Sequence, residues 1–334
     1  MRHKIGKKTA VLMLVGGLLA ANMIADELNA SKTANIAFLT DEVLISIPPV
    51  YSLALGLSEG TYIQPELLLT NGASPHSYSL KPSDVEKIEK AKLIVIVDEH
   101  LEGFLQKALA DKRDKVLELS KVAGVRTYPL RTAHHHHAEN DAEKAGEHGH
   151  EHEHEHENNG HSLSEIDEHI WADTDNAKAI VNALAEVLVK MYPESSDKYN
   201  ENKQKLFARL DALQEKQRAE LSEVKDEPFL VYHDGWQYFE KQNGLRGVGS
   251  VVLDEDIMQS VRGRIALADK VKKLQVKCLF TEPQFDSKAV KSLATDLGLK
   301  TAEIDLLGYD MSKDENLYFD LMLQNTDKIK NCLK

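Results

Sequence analysis

The chain has 334 residues, of which 54 are acidic and 41 basic, so its formal net charge is −13 with neutral histidines. This excess of negative charge argues against nucleic acids and anionic membrane surfaces as partners. A chain of this length favours two domains.

The first thirty residues have the pattern of a secretory signal peptide. A basic start is followed by an apolar run from Ala10 to Ile24 and by small residues at Ala25 and Ala30. The pattern predicts export, with cleavage near Ala25 or Ala30. A retained membrane anchor is the alternative, but the apolar run is short for a membrane span and is broken by two glycines. We therefore expect residues 1–30 to be removed and the mature protein to have no direct membrane anchor.

Short apolar runs then alternate with amphipathic segments. Before residue 134 this alternation predicts strands at 35–40, 65–69, 93–97 and 116–119. A helix is expected to begin at Pro48, and Ser83 with Glu86 forms a capping box that predicts the start of another. The run LIVIV at 93–97 is apolar throughout, which is typical of a buried parallel strand.

The segment 134–161 reads HHHHAENDAEKAGEHGHEHEHEHENNGH and contains ten of the fifteen histidines and eight carboxylates. Imidazole is a common ligand for zinc, copper and nickel, so the segment predicts weak binding of several metal ions. It has no large apolar residue to bury, which predicts a disordered loop. An expression tag, which would lie at a terminus, and a random low-complexity insert are the alternatives. The histidines are His134, His135, His136, His137, His148, His150, His152, His154, His156 and His161.

After this segment, helical periodicity covers residues 175–191, and a long charged helix is predicted at about 195–225. Strands are then predicted at 229–232, 247–253, 276–281 and 300–304, with helices at 235–242, 260–273, 288–297 and 313–330. The alternation predicts an α/β fold of two lobes with a helical connector. The expected domains are an N-terminal α/β lobe (31–172, including the loop 134–161), a connector helix (173–192) and a C-terminal α/β lobe (193–334).

Cys278 and Cys332 are the two cysteines of the chain. In an oxidising compartment, two cysteines in one domain favour a disulfide. Two free thiols that bind a metal are the alternative, but the pair lacks the close spacing of a metal motif. We expect a disulfide, which would contribute about 4 kcal/mol in the chain-entropy model.

Four histidines outside the signal and the His-rich segment are candidates for a specific site. His76 lies in a turn-rich loop after the strand at 65–69, His233 follows the run FLVY, and Asp305 follows the strand at 300–304. Ligands of α/β proteins gather at such carboxyl ends of strands. His169 precedes the connector helix, and three imidazoles with one carboxylate suit a four-coordinate zinc ion. His100, which follows an acidic pair, is expected to start a surface helix instead.

Several longer motifs surround these residues. They are GASPHSYSLKPSDV around His76, HIWAD at His169, VYHDGWQYFEKQNGL around His233, TEPQF at 281–285 and EIDLLG at 303–308. Together with the His-rich insert and the cysteine pair, they make the chain resemble the ZnuA-type solute-binding proteins of high-affinity zinc ABC transporters. The resemblance implies two lobes with mostly parallel sheets, joined by a long rigid helix, and one metal ion bound between them.

The resemblance assigns the three histidine ligands to His76, His169 and His233. It offers Asp305 or a water as the fourth donor, because Pro75 occupies the place where some zinc receptors have an acidic residue. Glu282 is expected to orient an imidazole N–H, with a hydrogen bond that stabilises the lobe as the alternative. Related manganese receptors carry glutamate in place of His233, and a third imidazole suits zinc better than the harder manganese ion.

The function implied is capture of Zn²⁺ in the periplasm and delivery to a membrane permease whose cytoplasmic ATPase drives uptake, without catalysis. We expect a monomer with one tight zinc and weaker ions in the insert. The alternatives are a manganese or other divalent-metal receptor, a metal-sensing or adhesive surface protein, and a secreted zinc hydrolase. The HExxH strings that would favour a hydrolase start at His150 and His152, inside the insert, where no helix is expected.

Overall fold

The computed structural model describes residues 39–70, 73–131, 166–252, 261–285 and 287–334. The expectations for the signal peptide, for most of the strand at 35–40 and for the His-rich segment lie outside these residues. Within the described ranges, no helix is both long and apolar enough to cross a membrane. The residues from Thr40 to the C-terminus form one compact unit.

The first half of this unit contains a four-stranded parallel sheet in the order β2-β1-β3-β4. Its strands are β1 (Val43–Ile45), β2 (Glu66–Leu67), β3 (Leu93–Ile96) and β4 (Val116–Glu118). Helix α1 (Pro48–Ser58) follows β1, and α2 (Pro82–Lys90) connects β2 to β3. Strand β1 was not predicted, because its three apolar residues stand between acidic residues and two prolines and give no periodicity.

The first turn of α2 differs from the predicted capping box. The helix begins at Pro82, and Oδ2 of Asp84 accepts a hydrogen bond from the amide of Lys81 at 2.8 Å. A proline suits the first helical position, since it lacks the amide hydrogen that would otherwise need a partner. Asp84, rather than Ser83 with Glu86, therefore caps the start of this helix.

The second half contains another four-stranded parallel sheet, in the order β6-β5-β7-β8. Its strands are β5 (Phe229–His233), β6 (Gly247–Val252), β7 (Cys278–Thr281) and β8 (Lys300–Glu303). The helices around it are α5 (Gln237–Asn243), α6 (Val261–Leu274), α7 (Ser287–Leu297) and α8 (Leu317–Leu333). The two parallel sheets flanked by helices confirm the predicted α/β fold.

Two long helices lie between the sheets in the sequence, α3 (Thr174–Met191) and α4 (Ser196–Leu221). The carboxylate of Asp173 caps α3 by accepting hydrogen bonds from the amides of Asp175 and Asn176. Helix α3 packs along α4, and α4 also packs against α1 and α8. The apolar residues that suggested α3, among them Ile180 and Leu184, are fully buried there.

A continuous cluster of buried side chains runs from the first sheet to the second and includes Ile45, Val95, Trp171, Val231 and Phe280. Cys278 at the start of β7 is bonded to Cys332 near the end of α8, with their Cα atoms 6.1 Å apart. This disulfide confirms the predicted pairing and leaves no free thiol as a metal ligand.

Candidate metal centre

Three imidazoles from distant parts of the sequence meet in the described structure. The ring centroids of His169 and His233 lie 4.8 Å apart, and the ring of His76 lies 5.3 Å from each of them. One ligand atom from each ring lies within 4.8 Å of the other two. We searched the described residues for groups of three or more His, Cys, Asp or Glu side chains that could hold a metal ion. The search found these three histidines.

The backbone brings each ring to the group in a different way. His76 lies in the turn 75–77 after β2, His169 immediately precedes a 3-10 turn at Ile170–Ala172, and His233 is the last residue of β5. Gly235 allows the close approach of the rings. A Cβ at this position would lie 2.8 Å from Cε1 of His233, closer than carbon atoms normally pack, and 3.0 Å from Cδ2 of His169.

The environment of His76 favours the neutral form of its ring. His169 and His233 are buried, and His76 is half-buried. Burial, and then charge repulsion from His233 and His169, holds the pKa of His76 well below its usual range. A neutral imidazole carries the free lone pair that binds a metal ion, so His76 is ready to bind metal near pH 7.

Asp167 is a residue of this centre that the sequence reasoning missed. Its Oδ1 lies 2.8 Å from Nδ1 of His169 and accepts a hydrogen bond from the His169 amide at 3.0 Å. Burial raises the pKa of Asp167, but the hydrogen bonds and the charge of His169 lower it by more, and the pKa lies below its usual value. The signal that could have found it is the spacing Asp-x-His, which lets a carboxylate reach the ring two residues later.

Glu282 lies beside the third ring, where the sequence placed it. Its Oε1 is 3.4 Å from Nδ1 of His233 and accepts a hydrogen bond from Nε1 of Trp236 at 3.3 Å. Its Oε2 accepts a hydrogen bond from the side-chain Nε2 of Gln284 at 3.0 Å. These contacts fit both predicted roles, orientation of an imidazole and stabilisation of the surrounding structure.

The structure does not bring Asp305 into the histidine group. Its carboxylate turns back to its own loop and accepts hydrogen bonds from the amides of Leu307, Gly308 and Tyr309 at 2.8, 3.0 and 2.5 Å. It lines a different surface cavity, whereas Leu306 and Leu307 line the pocket of the three histidines. The sequence correctly placed Asp305 at the end of a strand, but it did not predict the direction of its side chain.

His100 also stays apart from the group. It lies in a turn that precedes a 3-10 helix at Gly103–Leu105, so the surface helix predicted to start there is wrong. Its Nδ1 lies 2.9 Å from Oδ1 of Asp98, which keeps the ring in this turn. Three of the four candidate histidines outside the insert therefore converge.

Comparison with known proteins gives a consistent picture. The family model for "Zinc-uptake complex component A periplasmic" matches residues 43–332. The chain is 33% identical over 321 residues to the high-affinity zinc uptake system protein ZnuA of Brucella abortus, covering 90% of this chain and 94% of the relative. It is also 33% identical over 301 residues to the Haemophilus ducreyi protein of the same name, covering 87% and 93%.

Solved structures show the same fold at lower identity. A crystal structure of ZnuA has a TM-score of 0.69 at 19% identity and covers 89% of this chain and 100% of that one. A ZnuA deletion mutant with zinc bound has a TM-score of 0.70 at 20% identity, covering 89% and 98%. The solute-binding protein FpvC of Pseudomonas aeruginosa in complex with Mn²⁺ also has a TM-score of 0.70 at 20% identity, covering 87% and 98%.

Proposed function

The chain belongs to the family of periplasmic zinc-uptake complex component A proteins, and from that premise we propose that it captures Zn²⁺ with His76, His169 and His233. We further propose that it carries the ion to the permease of a zinc ABC transporter, whose ATPase drives uptake. The single observation that supports the proposal most strongly is the convergence of these three imidazoles.

The distances between the rings suit a zinc ion. Two nitrogens bound to one tetrahedral zinc at about 2.0–2.1 Å lie about 3.3 Å apart. The Nε2 atoms of His76 and His169 are 3.3 Å apart. A ring nitrogen of His233 lies within 4.8 Å of the other two ligand atoms and would complete a three-nitrogen site with one open position. We assign that position to water, because the Asp305 oxygens already accept hydrogen bonds from backbone amides.

Two other functions are less well supported. A manganese receptor should offer more carboxylate oxygens, since Mn²⁺ is a harder ion than Zn²⁺. A zinc hydrolase needs a general base beside the open position. Glu282 lines the pocket of the three histidines and is a candidate for that base, but it accepts hydrogen bonds from Trp236 and Gln284. We therefore propose a binding protein without catalysis.

The insert enters the proposal as an auxiliary segment. Its clustered histidines would bind zinc weakly and raise the concentration of zinc near the specific site. The protein would act as an exported monomer in the periplasm. The mature surface would be acidic, which suits the capture of a cation more than contact with an anionic membrane.

Deletion of residues 134–161 tests the proposal. We expect titration calorimetry of the deletion variant to find one tight zinc per chain and the loss of the weaker sites alone. Manganese titrated into the same variant should bind more weakly than zinc. Loss of the tight site on deletion, or tighter binding of manganese, would overturn the assignment.

A further inference from the structure

Asp167 makes a short contact with one of the three rings. Its Oδ1 is 2.8 Å from Nδ1 of His169, which is the distance of a charge-assisted hydrogen bond. By contrast, Glu282 is 3.4 Å from Nδ1 of His233, beyond the usual range. A ring whose Nδ1 donates to Asp167 presents the lone pair of Nε2, and this Nε2 faces His76 at 3.3 Å.

The carboxylate of Asp167 is itself held in place by the start of helix α5. Nε2 of Gln237 donates a hydrogen bond to Oδ2 of Asp167 at 3.3 Å and another to the carbonyl of Pro129 at 3.1 Å. The hydroxyl of Tyr238 donates to the carbonyl of Asp167 at 2.6 Å. Helix α5 begins four residues after His233, so these contacts connect the support of one ring to the segment that carries another.

We propose that Asp167 is a positioning residue that fixes the tautomer and the orientation of His169 before the metal arrives. The inference rests on the proposed function and adds to it a residue that does not touch the ion. A metal-binding histidine is commonly held by a carboxylate on its second ring nitrogen, and loss of such a partner typically weakens metal binding by about 10- to 100-fold.

The test is the variant Asp167→Asn in the full chain. Asparagine has the same size and keeps one acceptor oxygen, but it removes the negative charge that the ring N–H contacts. We expect the Kd for zinc to rise by about 10- to 100-fold. We also expect nitrogen-15 NMR of the metal-free protein to show a mixture of His169 tautomers in place of the Nδ1–H form.

The chain offers a matched control. Asp98 accepts the same two hydrogen bonds, from the amide and from Nδ1 of His100, both at 2.9 Å. Asp98→Asn should therefore change the His100 tautomer and leave the Kd for zinc as in the wild type. An unchanged Kd and an unchanged His169 tautomer in Asp167→Asn would overturn the inference.

Two more variants separate the possible failures. If His169→Ala binds zinc as tightly as the wild type, the proposed function fails. If His169→Ala loses zinc and Asp167→Asn does not, the positioning role alone fails. Should Asp167→Asn be too unstable to purify, Gln237→Met removes the amide that holds the other carboxylate oxygen. A smaller rise of the Kd is then expected, and no change would contradict the role of Asp167.

Discussion

The tripeptide Asp-Glu-His occurs twice in this chain, at 98–100 and at 167–169. In both places Oδ1 of the aspartate accepts a hydrogen bond from the histidine amide and lies within 2.9 Å of Nδ1 of the ring. The local sequence therefore produces the same ring orientation twice. In both copies, the orientation leaves Nε2 available to a partner outside the tripeptide.

The surroundings of the two segments differ. The side chain of His100 is 33% exposed, and the second oxygen of Asp98 accepts a hydrogen bond from the hydroxyl of Ser120. The side chain of His169 is 6% exposed and faces two other imidazoles. A short motif can orient a ligand, but long-range packing decides whether the ligand has neighbours to form a site.

Replacement of His169 or His100 by alanine gives the largest expected difference in zinc affinity between the two segments. His169→Ala removes one of three proposed ligands, and we expect the zinc Kd to rise about 1,000-fold, equivalent to about 4 kcal/mol. His100→Ala should leave the Kd unchanged. Competition with a chromogenic chelator measures both values. Equal losses of zinc affinity in the two variants would contradict the claim that only the segment at 167–169 contributes a ligand.

The second segment also depends on a buried ion-pair network beside it. Arg131 donates hydrogen bonds to the carboxylates of Asp234 and Glu240, and burial raises the pKa of both acids. Arg131→Met would leave two buried carboxylates without their cation. We expect the free energy of unfolding to fall by about 3 kcal/mol or more in urea titrations.

Arg126→Met is the control for this loss. Arg126 is 55% exposed and lies 3.6 Å from Asp173, so its removal should cost less than about 1 kcal/mol. A loss of unfolding free energy in Arg126→Met as large as that in Arg131→Met would show that the buried network is not the cause of the effect.

A buried carboxylate supports the first segment instead, and it predicts a dependence on pH. Glu102 accepts hydrogen bonds from the hydroxyl of Ser46 and the amides of Val97 and Asp98, yet burial raises its pKa to about 7. The folded state thus holds this proton more tightly than the unfolded chain. The stabilisation that comes from this proton is complete below the pKa of Glu102 in the unfolded chain. It is lost as the pH rises through about 7, the pKa in the folded state.

Glu102→Gln should remove this part of the pH dependence. Between pH 5 and pH 8 we expect the wild type to lose about 2 kcal/mol of unfolding free energy relative to the variant. Glu99→Gln, at the half-buried neighbouring glutamate, should keep the wild-type slope of unfolding free energy against pH. If the unfolding free energy of the wild type and of Glu102→Gln changed with pH in parallel, the assignment of this pH dependence to Glu102 would be wrong.

A third buried aspartate gives the smallest expected change in zinc binding. Because the carboxylate of Asp305 holds three amides of its own loop, Asp305→Asn should lower the unfolding free energy by about 1 kcal/mol. We expect the zinc Kd to change by less than about threefold, well below the effect expected for an orienting carboxylate. A rise of the Kd to the level of His169→Ala would instead make Asp305 a ligand.

Much of the fold could be predicted, because its signals are local or periodic. The apolar run at Leu93–Ile96 and the periodicity of α3 require no knowledge of distant residues. Strand β1 escaped prediction because three residues between acids and prolines have no period. Whether a strand is central or at an edge also depends on residues far away in the sequence.

The candidate site could be predicted only in part. The carboxyl ends of parallel strands gather on one edge of a sheet, and this rule indicated His76 and His233. The same rule also indicated Asp305, whose side chain turns to its own loop, because the rule locates a Cα atom and not the direction of a side chain. Asp167 escaped although the Asp-x-His spacing predicts its contact with His169, because the same spacing at Asp98 and His100 lies outside the group.

The most direct test of the central claim is a crystal structure of the zinc-loaded protein with anomalous data at the zinc absorption edge. We predict one strong peak in the described part of the chain, about 2.0–2.1 Å from a ring nitrogen of His76, His169 and His233. A strong peak elsewhere, with these three rings left without metal, would contradict the claim.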